Sequence, residues 1–354
     1  MKKVINRIVK NKLILGIIIG ISLTSTVVYA AYIEAREVSF TSNTGLTSSN
    51  VQDAIDELNN KCSSNNSSNN GSGSNQTAKT YKCKRATTLH TTQCLNSYEW
   101  GTSKFDCEGS GYSSGSTITY GNLGTNGTLS AGDAFDCDVN GDGTYDSNAE
   151  RFYYVSDYYD TSSKTFNNSV ATLIYYSNVS GGVANNSEMY QYDTNGNSGE
   201  NWHGPEQTAG KAYYQLPSTS QWNNVSLYKS TRAILNENGQ NTTNGGTLPS
   251  NYSYSAKSAR FLTVQELLRG CNISTINYKD GELNECQYLM ENTSFQDREN
   301  YSNGYWLETP MSNGITSIFG VNGEYRRVRE AYAAQLSIRG TRPVIEVLKS
   351  DIDY

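Results

Sequence analysis

The longest apolar segment of the chain lies near its N-terminus. Leu13 to Ile33 contain no charged side chain, and basic residues precede them: Lys2, Lys3, Arg7, Lys10 and Lys12. About 20 apolar residues can cross a bilayer as a helix, and positive flanking charge stays on the cytoplasmic side. The pattern therefore predicts a membrane helix through which the rest of the chain is exported.

Two outcomes are open for this segment. Val28, Tyr29 and Ala30, followed by Ala31, resemble a small-residue cleavage site. Residues 1–31 are therefore either a cleaved signal peptide or a retained anchor. In both cases we expect an exported protein, which is either held at the cell membrane with an extracellular domain or secreted after cleavage.

Residues 32–60 contain a short amphipathic pattern. Apolar side chains recur there at the i, i+3, i+4, i+7 spacing of a helix: Val51, Ala54, Ile55 and Leu58. Two turns of helix are too short to be stable alone, so this stripe needs a partner. The sequence from Gly45 to Leu58 resembles a stalk element of phage tail fibres and bacterial surface proteins. It predicts a stalk that self-associates, or one that rests on the bilayer or on its own head domain.

Residues 61–80 consist mainly of Ser, Asn and Gly, and such a composition predicts a flexible linker with nothing to bury. Residues 81–128 also lack hydrophobic periodicity but contain Cys83, Cys94 and Cys107. We expect a loop-rich, cysteine-containing segment there. The remaining residues, 129–350, are expected to form the main domain.

Aromatic and β-branched runs between polar turns predict strands in this main domain. Arg151–Asp157 and Ala171–Tyr176 are expected to pair as a hairpin around Asp160–Asn168. Further strand-like runs lie near the C-terminus: Tyr305–Leu307, Ile315–Val321, Gln335–Ile338 and Val344–Val347. The domain is therefore predicted to be α+β and rich in strands.

Two short helices are predicted from capping-box spacing, in which Ser or Thr is followed three residues later by Gln or Glu. The boxes and their apolar neighbours are Ser218 and Gln221 with Trp222 and Val225, and Thr263 and Glu266 with Leu262 and Leu267. Gly270 is expected to end the second helix as its C′ residue.

Composition and charge narrow the function classes. Only 36% of the residues are hydrophobic, and the chain contains 27 Tyr and 31 Gly but 5 Pro. This mixture suits short strands, many turns and a surface made polar by hydroxyl and amide groups. The net charge is −6, and no basic cluster follows the N-terminus. We therefore expect no nucleic-acid partner.

Seven cysteines are present, and none forms a Cys-x-x-Cys pair. In an exported chain they predict disulfides. Cys271 and Cys286 are expected to form one of them, closing a loop of 15 residues. The pairing of the others stays open: Cys62, Cys83, Cys94, Cys107 and Cys137. Cys62, beside the linker, is expected to be unpaired or to join two chains.

One short sequence resembles the front of a calcium-binding loop. Oxygen-bearing residues alternate in it: Asp138, Asn140, Asp142, Thr144 and Asp146. The position for a bidentate carboxylate is occupied by Ala149, and Glu150 comes one residue later. The sequence therefore predicts either a structural calcium site or an Asx-rich turn, because Asn-Gly and Asp-Gly are also frequent turn formers.

Tyrosine also indicates a candidate recognition surface. Tyr and Trp provide rigid, amphipathic contact area, and Ser, Gly and Asn provide adaptable hydrogen bonds. The ligand-binding residues expected on this basis are Tyr305, Trp306, Tyr325 and Tyr332, within a wider set formed by Tyr213, Tyr214, Tyr228, Tyr252 and Tyr254. The alternative is that these tyrosines build half-buried strands.

Several sequence motifs occur in an order that resembles a known family. They are Gly132–Asp138, Leu216–Trp222, Ala259–Glu266, Gly304–Pro310 and Gly340–Ile345. They are similar to exported bacterial proteins of unknown function with a C-type-lectin-like C-terminal domain, a fold shared with formylglycine-generating enzymes and with variable proteins of diversity-generating retroelements. The family usually has Gly-Val-Arg-Pro where this chain has Thr341. The resemblance implies mixed strands with two helices and supplies no activity.

We expect a surface protein that binds an extracellular glycan or protein. The alternatives are an exported enzyme of formylglycine-generating type, an unrecognised hydrolase, or a structural protein of the envelope. The enzyme alternatives have little support, because His90 and His203 are the only histidines and no hydrolase or zinc motif contains them. Cys271 and Cys286 also lie too early in the fold to match the copper-binding cysteines of formylglycine-generating enzymes.

Overall fold

Strands dominate the part of the chain that the structure describes. The structure is a computed structural model that describes residues 79–93, 116–193, 204–297, 302–314, 316–323, 326–332 and 339–354, all within one compact unit, Lys79–Tyr354. The predicted membrane segment, stalk and most of the linker lie outside the described residues. No helix within the described ranges is long and apolar enough to cross a membrane.

The elements are numbered in chain order. The strands are β1 Cys83–Arg85, β2 Thr91–Gln93, β3 Thr117–Thr119, β4 Ala134–Cys137, β5 Arg151–Asp160, β6 Thr165–Tyr175, β7 Val179–Ser180, β8 Val183–Ala184, β9 Thr231–Ala233, β10 Thr242–Thr243, β11 Gly246–Thr247, β12 Asn251–Ser253, β13 Ser294–Asp297, β14 Ser302–Pro310, β15 Ser317–Asn322, β16 Arg327–Tyr332, β17 Val344–Leu348 and β18 Ile352–Asp353. The α-helices are α1 Ala212–Gln215 and α2 Val264–Gly270, and two 3₁₀ helices span Asn284–Met290 and Lys349–Asp351.

The larger sheet has six strands in the order β17-β6-β5-β4-β1-β18. Its centre is the predicted hairpin, which is confirmed: β5 and β6 pair antiparallel up to Asp160 and Thr165, and both strands are longer than expected. Strand β1 pairs antiparallel with β4 and parallel with β18. The described part of residues 81–128 therefore contributes a strand to the same sheet as residues 129–350.

The second main sheet is antiparallel, with the order β13-β14-β15-β16. Its strands account for two of the predicted C-terminal runs, whereas Gln335–Ile338 lies outside the described residues. Aromatic side chains fill much of the interior between the elements. Fully or nearly fully buried tyrosines include Tyr153, Tyr158, Tyr192, Tyr254, Tyr288 and Tyr305. Many of the tyrosines in the described part of the chain thus belong to its core.

Helix α2 begins as its sequence predicts. The Thr263 hydroxyl accepts a hydrogen bond from the Glu266 amide at 3.2 Å, and the Glu266 carboxylate accepts one from the Thr263 amide at 3.1 Å. Leu262 and Leu267 are both buried in the same apolar cluster. The reciprocal bonds satisfy two backbone donors of the first turn, so the capping box is confirmed.

The expected role of Gly270 is wrong. This residue is the last one inside α2 instead of a C′ residue beyond its end. A Cβ atom there would lie 2.5 Å from the carbonyl oxygen of Val155 in β5. Glycine is needed because the helix packs directly against the backbone of the sheet.

The helix predicted at Ser218 does not form. Gln221 does accept a hydrogen bond from the Ser218 amide at 2.9 Å, but the chain makes only turns there, and α1 precedes this point. The Asn224 amide donates to the carbonyl of Val139 at 3.0 Å instead of continuing a helix. Asparagine is a weak helix former, so a tertiary hydrogen bond overrides the capping signal.

Buried charged side chains join the two main sheets. Arg260 is fully buried, and its guanidinium donates to Glu266 of α2 at 2.6 and 2.9 Å and to Glu346 of β17 at 2.5 Å. Burial alone would raise the pKa of Glu266, but the charge and hydrogen bonds of Arg260 outweigh it and lower this pKa to about 2. Glu266 is therefore ionised throughout the ordinary pH range.

A second buried arginine extends this group toward the smaller sheet. Arg232 of β9 donates to Glu308 of β14 at 2.7 Å and to the hydroxyl of Tyr158 at 2.8 Å. The hydroxyl of Tyr254 donates to the other oxygen of Glu308 at 2.9 Å. We call Arg232, Arg260, Glu266, Glu308 and Glu346 the charge cluster. Its members come from separate elements, so it fixes their relative positions.

Replacing Glu266 with Gln is expected to destabilise the protein by about 3–5 kcal/mol, because Arg260 would remain charged and buried with one partner fewer. The wild-type protein should also lose stability as the pH falls from about 4.5 to about 2, since Glu266 binds a proton first in the unfolded state. Urea unfolding at neutral and acidic pH measures both effects. Exposed Glu330→Gln is the control, and a Glu266→Gln protein as stable as this control would contradict the prediction.

Candidate functional site

The predicted ligand-binding face is wrong at the residues that the structure can place. Tyr305 and Trp306 of β14 are both 0% exposed. The Trp306 indole donates to the carbonyl of Tyr190 at 2.7 Å, and the Tyr305 ring lies 5.2 Å from the guanidinium carbon of Arg342. Both side chains therefore belong to the core. Tyr325 and the side chain of Tyr332 lie outside the described residues.

The exposed tyrosines differ from these predicted ligand-binding residues: two belong to the wider tyrosine set, and the third is Tyr278. Among the described residues, the tyrosines that stand out from the surface are Tyr214, Tyr228 and Tyr278. Tyr214 is 53% exposed, and Val183 of β8 is 67% exposed. Hydrogen bonds join the β7–β8 turn, which precedes Val183, to helix α1, which contains Tyr214. We call Gly181, Gly182, Val183, Tyr214, Gln221 and Lys257 the Tyr214 surface.

Helix α1 and the β7–β8 turn are held together by Gln215 and Gln221. The Gly182 amide donates to the backbone carbonyl of Gln215 at 2.8 Å, and the Gly181 amide donates to the Gln215 side chain at 2.9 Å. The Gln221 amide group donates back to the carbonyl of Gly181 at 2.6 Å. Gly182 has a φ of +82°, and a Cβ there would lie 2.7 Å from Gln221. Glycine is favoured here because other residues rarely adopt this positive φ.

Lys257 lies beside the Tyr214 ring. Its ammonium group donates to the carbonyls of Tyr214 at 2.9 Å and Leu216 at 2.6 Å, and lies 5.4 and 5.5 Å from the ring centroids of Tyr213 and Tyr214. Burial lowers the pKa of Lys257 to about 8, and no described carboxylate offsets this effect. An ammonium group has three N–H donors. Lys257 therefore has one donor beyond its two carbonyl partners.

The predicted calcium loop folds as a series of Asx turns. The Asp138 carboxylate accepts hydrogen bonds from the amides of Gly141 at 2.8 Å and Gly143 at 3.1 Å. The Asp142 carboxylate accepts from the Thr144 amide and hydroxyl at 2.8 and 2.6 Å, and these bonds lower the pKa of Asp142. The side chains at the front of the loop are thus preorganised by local hydrogen bonds.

The rear of this loop is less suited to a cation. Glu150 accepts from the amides of Val139 at 3.2 Å and Asp146 at 3.1 Å, so its oxygens serve the loop backbone. Burial raises the pKa of Glu150 despite these bonds. No group of three or more acidic, His or Cys side chains in the described ranges is placed to hold a metal ion. Calcium at Asp138, Asn140, Asp142, Thr144 and Asp146 stays a prediction.

The structure contains two disulfides within its described residues. Cys271 and Cys286 are bonded, as their spacing predicts, and join the end of α2 to the 3₁₀ helix Asn284–Met290. Cys83 and Cys137 are bonded between the directly paired strands β1 and β4. The thiol groups of Cys271 and Cys286 are therefore both used in a covalent bond. Cys62, Cys94 and Cys107 lie outside the described residues.

The motifs that carry the family resemblance contribute mainly to the scaffold. Arg260 and Glu308 belong to the charge cluster. Arg342 is buried and donates to the carbonyls of Tyr175 at 2.6 Å and Tyr288 at 2.9 Å, and also to that of Leu289. It thereby ties the segment before β17 to the end of β6 and to the 3₁₀ helix. These residue types are required by the interior of the fold.

The chain matches no protein-family model, no curated protein and no solved structure. Sequence reasoning included Tyr214 in its wider tyrosine set but missed Val183, Gln221 and Lys257. No local motif connects these residues, because turns and α1 bring together segments that are distant in the chain.

Calcium is expected to bind the loop weakly, with a dissociation constant of about 10⁻⁴–10⁻³ M, as in extracellular modules. Asp142→Asn should weaken binding at least about tenfold, because it removes one anionic ligand, whereas Glu330→Gln should leave it unchanged. Isothermal titration of the metal-free protein measures this. Wild-type protein that takes up no calcium at concentrations of about 10⁻² M would show that the loop is only a turn.

Removing either disulfide is expected to destabilise the fold, and the loss should be larger for the disulfide that closes the longer loop. Sequence separations of 15 for Cys271–Cys286 and 54 for Cys83–Cys137 correspond to about 3 and about 4 kcal/mol in the chain-entropy estimate. Paired Cys→Ser variants, compared by urea unfolding, measure both values. A loss below about 1 kcal/mol for each variant would contradict a stabilising role.

Proposed function

We propose that this protein is an exported surface protein whose disulfide-bonded head binds an extracellular glycan through the Tyr214 surface. The observation that carries the proposal is the exposed ring of Tyr214 beside the ammonium group of Lys257. Most other described tyrosines are used in the core. Tyr214 is instead presented outward by α1, while its neighbour Tyr213 is buried.

The chemistry of this surface suits a sugar. An exposed aromatic ring offers a rigid, amphipathic face that loses little entropy on binding. The remaining N–H of Lys257 can donate to a hydroxyl or an acidic group of a ligand that covers the ring. Val183 adds exposed apolar area next to the same hydrogen-bonded turn. A protein ligand is the other outcome that the binding experiment can reveal.

Export is supported by two independent features. The apolar segment behind the N-terminal lysines has the composition of a membrane helix. The two disulfides are of a kind that persists in oxidising compartments. The retained anchor, the self-associating stalk and the C-type-lectin-like character of the head are parts of the same proposal. The combination of mixed strands with two short α-helices supports the last of these.

The enzymatic alternative has no specific observation in its favour. A copper centre of formylglycine-generating type would need Cys271 and Cys286 as thiolates, and here they form a disulfide. The buried acidic residues of the charge cluster are engaged by arginine side chains. These groups support the scaffold, and we propose no reaction for them.

The protein is expected to bind glycans on an array, and Tyr214→Ala should weaken binding at least about tenfold, because it removes a central aromatic contact. Lys257→Gln should weaken binding most strongly for acidic glycans. Tyr278→Ala removes an exposed ring elsewhere and is the matched control. Titration calorimetry with the best array ligand gives the affinities. An array without binders, or equal affinity of the Tyr214→Ala protein, would refute the proposal.

A further inference from the structure

His90 connects two segments that are distant in sequence. It lies directly before β2, and its Nε2 atom is 2.8 Å from the backbone carbonyl oxygen of Ser147. Its Nδ1 atom is 2.6 Å from Oε1 of Glu291, just after the 3₁₀ helix. Both ring nitrogens of His90 therefore face oxygen atoms.

These contacts determine how many protons His90 and Glu291 hold together. A carbonyl oxygen can only accept, so Nε2 of His90 must carry a hydrogen. The other oxygen of Glu291 accepts from the hydroxyl of Tyr153 at 2.5 Å. One further proton is then required between Nδ1 and Oε1, either as imidazolium and carboxylate or as two neutral groups. The His90–Glu291 pair holds this proton in both descriptions.

The bond from His90 is one of three that fix the rear of the 138–150 loop. Three consecutive carbonyls accept hydrogen bonds from side chains outside the loop: Ser147 from His90 at 2.8 Å, Asn148 from Tyr176 at 2.7 Å and Ala149 from Tyr175 at 2.7 Å. Burial raises the pKa of both tyrosines, so their hydroxyl groups stay protonated. Of the three donors, only histidine ordinarily titrates near neutral pH.

Other titratable and charged groups surround the pair. The Tyr176 ring packs edge-on against His90 at 5.4 Å. Tyr153, whose hydroxyl donates to Glu291, and Tyr288 are both buried, with ring centroids 5.8 Å apart. The charge of Glu291 also acts on buried Arg342, and Asp146 acts on Tyr176. Deprotonation of the pair would leave His90 with one ring hydrogen for two oxygen partners, Glu291 and Ser147.

We propose that His90 and Glu291 form a pH-dependent clamp that holds the rear of the 138–150 loop. The clamp is closed while the pair holds its shared proton. As the pH rises and this proton leaves, the one ring hydrogen that remains on His90 cannot serve both oxygen partners. It is taken by the Glu291 carboxylate through Nδ1, and Ser147 loses its hydrogen bond from Nε2. The rear of the loop is therefore held by three side-chain donors in acidic surroundings and by Tyr175 and Tyr176 alone in alkaline ones.

Hydrogen exchange and nitrogen-15 NMR of the histidine rings test this in the full-length protein, with chelator present, from about pH 5 to about pH 8.5. His203→Gln assigns the signals, because the chain has two histidines. At low pH, Nε2 of His90 should carry hydrogen, as both descriptions of the pair require. Amide protection at residues 146–150, corrected for the intrinsic pH dependence of exchange, should fall about tenfold with rising pH, equivalent to about 1.4 kcal/mol.

Glu291→Gln provides a discriminating variant. Its amide can donate to Nδ1 of neutral His90 while its oxygen accepts from Tyr153, so loop protection should become independent of pH. Tyr176→Phe should lower protection equally at all pH values, because it removes a donor that does not titrate in this range. The proposal is overturned if wild-type protection shows no pH dependence, or if Glu291→Gln retains it in full. If the Glu291→Gln protein fails to fold, the dependence of amide protection on pH in the wild-type and Tyr176→Phe proteins still tests the proposal.

Discussion

The fold depends on the burial of Arg260 between two carboxylates. A guanidinium removed from water must be fully paired, because the cost of an uncompensated buried charge is several kcal/mol. Arg260 meets this requirement only if α2 supplies Glu266 and β17 supplies Glu346 at the same time. The adjacent Arg232–Glu308 pair adds β9 and β14 under the same constraint. A shift of any of these elements would leave a charge unpaired, so the cluster specifies their arrangement.

This constraint extends to the surface that we propose for binding. Arg260 also exchanges two backbone hydrogen bonds with Val344, at 2.9 and 3.0 Å, which fixes the chain three residues after Lys257. The Ser258 hydroxyl donates to the carbonyl of Trp222 at 2.7 Å. Lys257 therefore stands on rigid backbone and can direct its ammonium group beside Tyr214. The recognition surface is small, but the interior of the domain determines its geometry.

The sequence predicted the features that depend on local chemistry. The β5–β6 hairpin, the capping box at Thr263 and the Cys271–Cys286 bond all follow from residues close together in the chain. The helix at Ser218 was predicted wrongly because Asn224 binds Val139, which lies far away in sequence. Tyr305 and Trp306 were misplaced for a related reason: tyrosine suits both wet surfaces and half-polar interiors, and only tertiary packing distinguishes these locations. For the same reason the sequence did not indicate the position of Lys257. Its hydrogen-bond partners are backbone carbonyls of α1 and of the residue after it.

The central claim is that the members of the charge cluster act together. A double-mutant cycle with Arg260→Met and Glu346→Gln, measured by urea unfolding at neutral pH, tests it directly. The account predicts that the double variant is less destabilised than the sum of the two single variants by about 2–3 kcal/mol, because removing one partner already strands the other. Additive losses, within about 0.5 kcal/mol, would contradict the claim that this buried network holds the fold together.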